Sequence, residues 1–118
     1  MTKILKFQDD IDLNSLKELE KHSSLSCDTE GSGLQIPHRD KLSLVQFSTG
    51  NNDCHIIQLN RKEYKAKNLV KVLENEKINK IFHFARFDVA ALKHFLKADV
   101  KNIYCTKVAS KFARSYTY

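Results

Sequence analysis

The sequence has few residues that break or crosslink a chain: one proline, three glycines and three cysteines in 118 residues. Cys27, Cys54 and Cys105 are odd in number and widely spaced, and no CxxC pair occurs. This pattern argues against a disulfide framework and against a zinc site. We expect free thiols in a reducing, cytoplasmic compartment.

Long apolar stretches are also missing from the sequence. No run approaches the length of a membrane span, and the first ten residues are mixed polar without the apolar centre of a signal peptide. The sequence therefore predicts neither secretion nor insertion into a membrane.

Acidic residues are outnumbered, since 20 Lys and Arg stand against 14 Asp and Glu, for a net charge of +6. This balance favours polyanionic partners, nucleic acid first, although an unspecialised basic surface is the alternative. A hydrophobic fraction of 42% is ordinary for a globular protein. We expect residues 1–118 to form a single small domain.

The hydrophobic pattern predicts strands that are later interleaved with helices. A short edge strand (3–7) and a helix (13–22) precede three strands joined by short connections, which suggest an antiparallel meander. The period then changes, and alternating strands and helices imply parallel pairing. The predicted strands are 23–28, 42–48, 54–59, 80–85 and 100–105, and the later helices are 63–76, 88–96 and 106–114.

This order of elements predicts an α/β fold of the ribonuclease H-like type. It is a mixed sheet, three antiparallel strands followed by βαβα, with helices on both faces.

Two carboxylates stand out at the end of the predicted strand 23–28. Asp28 and Glu30 are two residues apart, and residues at this spacing in a strand point to the same face. Side-by-side carboxylates repel each other, and a divalent cation such as Mg²⁺ or Mn²⁺ would relieve that repulsion. The alternative is a turn aspartate beside a solvated glutamate.

A third acid, Asp88, follows the predicted strand 80–85 and begins the next helix. It is a good N-cap residue, and it also lies where sites collect in open α/β sheets. Capping and metal binding are compatible.

Four ordered segments resemble the DEDD superfamily of 3′–5′ exonucleases, in particular ribonuclease D. Residues 28–30 (DTE) with Gly33 and Leu34 are similar to the first exonuclease motif, and residues 83–88 (HFARFD) to the second. Residues 39–47 (RDKLSLVQF) and 105–114 (CTKVASKFAR) resemble further segments of the family. The similarity runs from about residue 3 to the last residue.

The resemblance implies a two-metal exonuclease that removes nucleotides from the 3′ end of RNA or single-stranded DNA. Asp28 would bridge two Mg²⁺ or Mn²⁺ ions, Glu30 would bind the ion that holds the attacking water, and Asp88 would bind the other. Substrate contacts would come from Thr29, Gly33, Leu34, His83 and Phe87. The residues themselves leave other interpretations open: Leu34 and Phe87 as core residues, and His83 as a strand-end residue.

The family pattern breaks at the third motif, YxxxD or HxxxD, which does not occur after Asp88. Asp99 is the one later carboxylate, and we expect a loop acid about 15 Å from Asp88 across the intervening helix. We therefore expect a domain truncated at its C-terminus, with weak activity, exposed apolar surface, and a separate C-terminal fragment or a homo-oligomer as possible partners. An inactive nucleic-acid-binding module and a degenerate fragment are the alternatives.

Overall fold

The computed structural model describes residues 3–31, 41–50, 53–83 and 85–106, which contain six strands and three helices. In chain order these are β1 (Lys3–Gln8), α1 (Leu13–Glu20), β2 (Ser24–Gly31), β3 (Leu42–Ser48), β4 (Asp53–Gln58), α2 (Lys67–Glu74), β5 (Asn79–Phe82), α3 (Ala85–Leu96) and β6 (Ile103–Cys105).

All six strands form one mixed sheet in the order β1-β4-β3-β2-β5-β6. The meander is confirmed, because β3 pairs antiparallel with both β2 and β4. The parallel pairing of the later strands is also confirmed, since β5 lies between β2 and β6 and runs parallel to both. β1 is an edge strand, as predicted, and runs parallel to β4. The predicted α/β, ribonuclease H-like fold class is confirmed.

The two faces of the sheet differ sharply in burial. Paired residues project to the same side of a sheet, so the register assigns each side chain to a face. One face carries the fully buried positions, and we call it the helix face: Leu25, Cys27, Val45, Phe47, His55, Ile57, Lys80 and Phe82. The opposite face, here the open face, carries exposed or half-buried side chains in the described residues, and one row across it reads Ile4, Cys54, Ser48, Ser26, Ile81 and Tyr104.

All three described helices pack on the helix face. Leu16 and Leu19 of α1, and Leu69, Val72 and Leu73 of α2, belong to the same buried core as the strand residues of that face. On α3, Asp88 reaches Thr29 of β2 on this side. Helices on both faces stay a prediction, because residues 107–118 lie outside the described part of the chain. No helix in the described ranges is long and apolar enough to cross a membrane.

The boundaries of both helices and strands differ from the predictions: β2 ends three residues later, β5 ends three residues earlier and β6 begins three residues later than predicted. α3 begins at Ala85, not at residue 88, so the predicted N-cap role of Asp88 is wrong and its carboxyl lies within the first turn. α2 begins at Lys67 and not at 63. Tyr64 precedes it outside the helix, and its hydroxyl donates to the Leu42 carbonyl of β3 at 2.7 Å. Of the predicted helix 106–114, only Thr106 lies in the described residues.

Candidate active site

The candidate site lies where β2 and β5 separate. The two strands pair only as far as Ser26 and Ile81, so residues 28–31 of β2 extend beyond the partner strand. A register shift between Glu30 and Gly31, where Ser43 is the extra residue on β3, also interrupts the regular pairing at this end of β2. A strand end with a bulge is a common place for functional side chains, because the irregularity redirects them.

Asp28 and Glu30 share the open face, as the sequence predicted. Both are exposed and alternate with the helix-face residues Cys27 and Thr29. Asp28 pairs with Gln46 and Glu30 with Leu44 on β3, so no cation of that strand lies opposite either acid. The Asp28 carboxylate accepts the Thr29 backbone N–H at 3.0 Å.

Asp88 reaches the same end of β2 from the helix face. Its side chain is buried, with 6% exposure, and its Oδ1 accepts a hydrogen bond of 2.5 Å from the Thr29 hydroxyl. Burial raises the pKa of the Asp88 carboxyl, the Thr29 hydrogen bond opposes that rise, and the nearby negative charge of Asp28 adds to it. Asp28 and Asp88 are therefore close enough to repel each other.

The chemistry of this donor set suits a divalent cation, since carboxylate oxygens are hard ligands and two of them already repel each other. The three acids nevertheless lie on two sides of the sheet. Asp28 and Glu30 of β2 are on the open face, and Asp88 contacts β2 on the helix face. Accordingly, no group of three Asp, Glu, His or Cys residues in the described ranges converges as a metal site. The structure holds Asp88 against Thr29, the residue next to Asp28, and the role of all three acids as metal ligands stays a prediction.

The residues predicted to contact substrate differ in where the structure places them, and two of them lie outside the described residues. Phe87 is 37% exposed, so its alternative interpretation as a core residue is wrong. His83 follows β5 and is exposed, with Nδ1 3.0 Å from the Thr106 hydroxyl, which agrees with a strand-end position. Gly33 and Leu34 lie outside the described residues.

Thr29 has a role that the sequence analysis missed. It was assigned to the substrate, yet its hydroxyl points to the helix face and holds Asp88. Strand alternation could have predicted this contact, because a residue between two acids on one face of a strand must point to the opposite face.

Asp99 lies outside the site, as predicted. It follows α3 in a loop, is exposed, and contacts Lys101 Nζ at 2.8 Å. None of the three cysteines is in a disulfide, which agrees with the expected free thiols.

Comparison with known protein families identifies the class of this fold and site. The sequence pattern of a family described as 3′–5′ exonuclease matches residues 5–117. The chain therefore belongs to the 3′–5′ exonuclease family, and the predicted kinship with DEDD-type enzymes is confirmed. Among proteins with curated descriptions, none matches the chain.

Several solved structures are also similar to this chain. NrnC of Brucella melitensis is 41% identical, with a TM-score of 0.85, and the match covers 98% of this chain and 54% of that one. Structures of that protein with bound Mg²⁺ and bound to pGG match equally well in TM-score. The Nibbler EXO domain of Aedes aegypti (15% identity, TM-score 0.72, 93% and 56% coverage) and the EXD2 exonuclease domain (19%, 0.70, 96% and 60%) share the fold. The chain thus spans just over half of the length of the NrnC structure.

Proposed function

We propose that this chain contributes to metal-dependent removal of nucleotides from the 3′ end of RNA or another single-stranded nucleic acid. One observation carries the proposal: a buried carboxyl, Asp88, is held beside the Asp28–Glu30 strand end through Thr29, close enough for Asp28 to raise its pKa. A buried carboxyl with a perturbed pKa and a charged neighbour is typical of catalytic sites.

In this proposal Asp28, Glu30 and Asp88 hold Mg²⁺ or Mn²⁺ and are the catalytic residues. NrnC of Brucella melitensis has been solved with Mg²⁺ and with pGG, an oligonucleotide, which supports a divalent cation and a nucleic-acid substrate here. When bound, such cations stabilise charge that develops on the phosphodiester during hydrolysis. Thr29 donates a hydrogen bond to the Asp88 carboxyl, and in this proposal Phe87 and His83, which are both exposed, contact a nucleotide. Gly33 and Leu34 complete the proposed substrate contacts. The ribonuclease D-like branch and a cytoplasmic location belong to the same proposal.

We further propose that the 118-residue polypeptide by itself turns over slowly. Its sequence offers three acids in two motifs and no YxxxD or HxxxD segment. Losing an outer-shell partner of a metal ligand typically costs about 10- to 100-fold in metal affinity or activity, and we expect loss of a ligand itself to cost at least as much.

A second candidate, binding of nucleic acid without hydrolysis, is favoured by one observation. The described residues contain no preformed group of three metal ligands. The basic surplus of +6 would serve such binding equally well.

The test is an assay on 5′-labelled single-stranded RNA with Mn²⁺, read as a ladder on a denaturing gel. The proposal expects slow, stepwise shortening that is lost in Asp28→Asn, Glu30→Gln and Asp88→Asn. Asp99→Asn removes an exposed acid outside the site and serves as the matched control. RNA that is bound but never shortened would favour the binding module, and shortening that survives Asp28→Asn would overturn the assignment of the site.

A further inference from the structure

A cluster of basic residues lies at the same end of the strands as the candidate site, and none of these residues belongs to that site. Lys41, Arg61 and Lys62 are exposed and line a depression of about 580 Å³. The other residues that line this depression are Gln8, Asp9, Gln58, Leu59 and Asn60.

The strand register relates this cluster to the acids. Gly31, at the end of β2, pairs with Leu42, so Lys41 lies directly beside the strand end that carries the acid pair. Glu30, Leu44 and Gln58 form one row across β2, β3 and β4, and Arg61 follows Gln58 by three residues. Neighbouring strands are about 4.8 Å apart, so the chain that carries Arg61 leaves the sheet roughly 10 Å from β2.

The depression has ordered walls. Lys41 Nζ donates to the Arg61 carbonyl at 3.3 Å, which ties the start of β3 to the segment after β4. The Asn60 side chain accepts the Lys62 backbone N–H at 3.0 Å, and the backbone N–H of Leu59 donates to the Ser43 carbonyl at 2.8 Å. A site whose backbone is already fixed loses less conformational entropy when it binds a ligand.

The described lining of the depression carries more positive than negative side chains. Among the residues that the structure describes, three cationic side chains line it against one carboxylate, that of Asp9. The nearby Glu63 contacts Lys65 at 3.0 Å, so its charge is balanced locally. Arginine binds phosphate through paired N–H donors, and lysine adds a point charge.

We propose that Lys41, Arg61 and Lys62 bind a substrate phosphate on the 5′ side of the scissile bond. This inference rests on the proposed function, because it takes the acids to mark the cleaved end. The phosphate could be the 5′-terminal group of a very short substrate or an internal phosphodiester of a longer strand. The chemistry of recognition is the same for both, and substrate length separates them.

The test compares two double variants of equal charge. Arg61→Gln/Lys62→Gln removes two of the three cations of the cluster and keeps the Arg61 carbonyl that Lys41 contacts. Lys71→Gln/Lys77→Gln removes two exposed cations from the α2–β5 region, away from the depression. Binding is followed by fluorescence anisotropy or calorimetry over a range of salt concentrations, in EDTA to prevent hydrolysis. The probes are a single-stranded decamer and a dinucleotide, each prepared with and without a 5′-phosphate.

We expect the Arg61/Lys62 variant to bind the probes that carry the recognised phosphate more weakly, with the salt slope reduced by about 0.7 for each phosphate that the variant no longer neutralises. The Lys71/Lys77 variant should bind like the wild type. Weaker binding confined to the 5′-phosphorylated dinucleotide would identify the phosphate as terminal, whereas weaker binding of the unphosphorylated decamer would identify it as internal.

Equal weakening in the two double variants, or none in the Arg61/Lys62 variant, would overturn the phosphate site. That result leaves the proposed function standing if Asp28→Asn still abolishes shortening of RNA. A wild-type chain that binds none of the probes and shortens no RNA would instead refute the proposed function, and the phosphate site with it.

Discussion

At the scale of single residues, the Thr29–Asp88 contact joins strand β2 to helix α3. It is a short hydrogen bond to a buried carboxyl, so removing the hydroxyl leaves a buried polar group without that partner. We expect Thr29→Val to lower the free energy of unfolding by about 1–3 kcal/mol. Thr29→Ser keeps the hydroxyl and is the matched control. Urea unfolding measures both, and equal destabilisation by the two variants would show that the hydroxyl is not what matters.

Lys80 is a second residue whose behaviour follows from burial. Its side chain is fully buried on the helix face, and its ammonium donates to the Asn75 and Ile78 carbonyls. Burial lowers its pKa from 10.5 to about 8. Between these two values the unfolded chain binds more protons than the folded one, so the contribution of Lys80 to stability rises with pH.

The rise of stability with pH that Lys80 causes can be tested within a limited pH range. The pKa of Cys27 is raised by burial above its ordinary 9.0, so its contribution falls at higher pH and opposes that of Lys80 there. Between roughly pH 7.5 and 9 we expect the free energy of unfolding of the wild type to increase, and that of Lys80→Met to stay flat. Chemical denaturation at several pH values measures both slopes, and parallel curves would contradict the assignment.

At the scale of elements, the start of α2 depends on a residue distant in sequence. Asp10, after β1, accepts the backbone N–H groups of Asn68 at 3.0 Å and Leu69 at 2.9 Å. Ala66, the residue before the helix, makes no side-chain cap. Asp10 therefore satisfies N–H groups that the first turn leaves open and fixes α2 to the end of β1.

We expect Asp10→Ala to destabilise the protein by about 1–2 kcal/mol, the upper range for removal of a helix cap. The neighbouring Asp9→Asn is the control, because Asn tolerates the left-handed φ of 72° at that position. Thermal or urea unfolding compares the two, and an Asp10→Ala variant as stable as Asp9→Asn would contradict the capping role.

The same elements show what the sequence can predict. Strand alternation predicted the meander and the shared face of Asp28 and Glu30, because a period of two is a local property. The start of α2 and the burial of Lys80 could not be predicted this way. Asp10 is 58 residues from Asn68. The ammonium of Lys80 is satisfied by carbonyls two and five residues earlier in the chain, and strand alternation does not show how these carbonyls are oriented.

The candidate site was predictable to a similar extent. The three acids were found from spacing and resemblance, but spacing does not show that Asp88 approaches β2 from the helix face. That arrangement depends on where α3 begins, and α3 begins three residues earlier than predicted.

At the scale of the whole molecule, the open face is the conspicuous feature. In the described residues it exposes Ile4 (57%) and Tyr104 (50%), and half-buried Ile56 and Ile81 lie between them. Exposed apolar patches of this kind favour association. The expectation that the chain associates with itself or with another chain follows from this face and stays a prediction.

We expect the purified chain to self-associate in a concentration-dependent manner, and Ile4→Lys to shift it toward the monomer. Leu13→Lys is a matched control, because Leu13 is similarly exposed (60%) but lies on α1, on the helix side. Analytical ultracentrifugation measures both variants. A wild type that stays monomeric, or equal shifts in the two variants, would contradict association through the open face.

The central claim is that Asp28, together with Glu30 and Asp88, binds a divalent cation, and Mn²⁺ titration followed by electron paramagnetic resonance tests it most directly. We predict saturable binding by the wild type that persists in Asp99→Asn and is abolished in Asp28→Asn. Binding of Mn²⁺ to Asp28→Asn with unchanged affinity, or no saturable binding by the wild type, would contradict the claim.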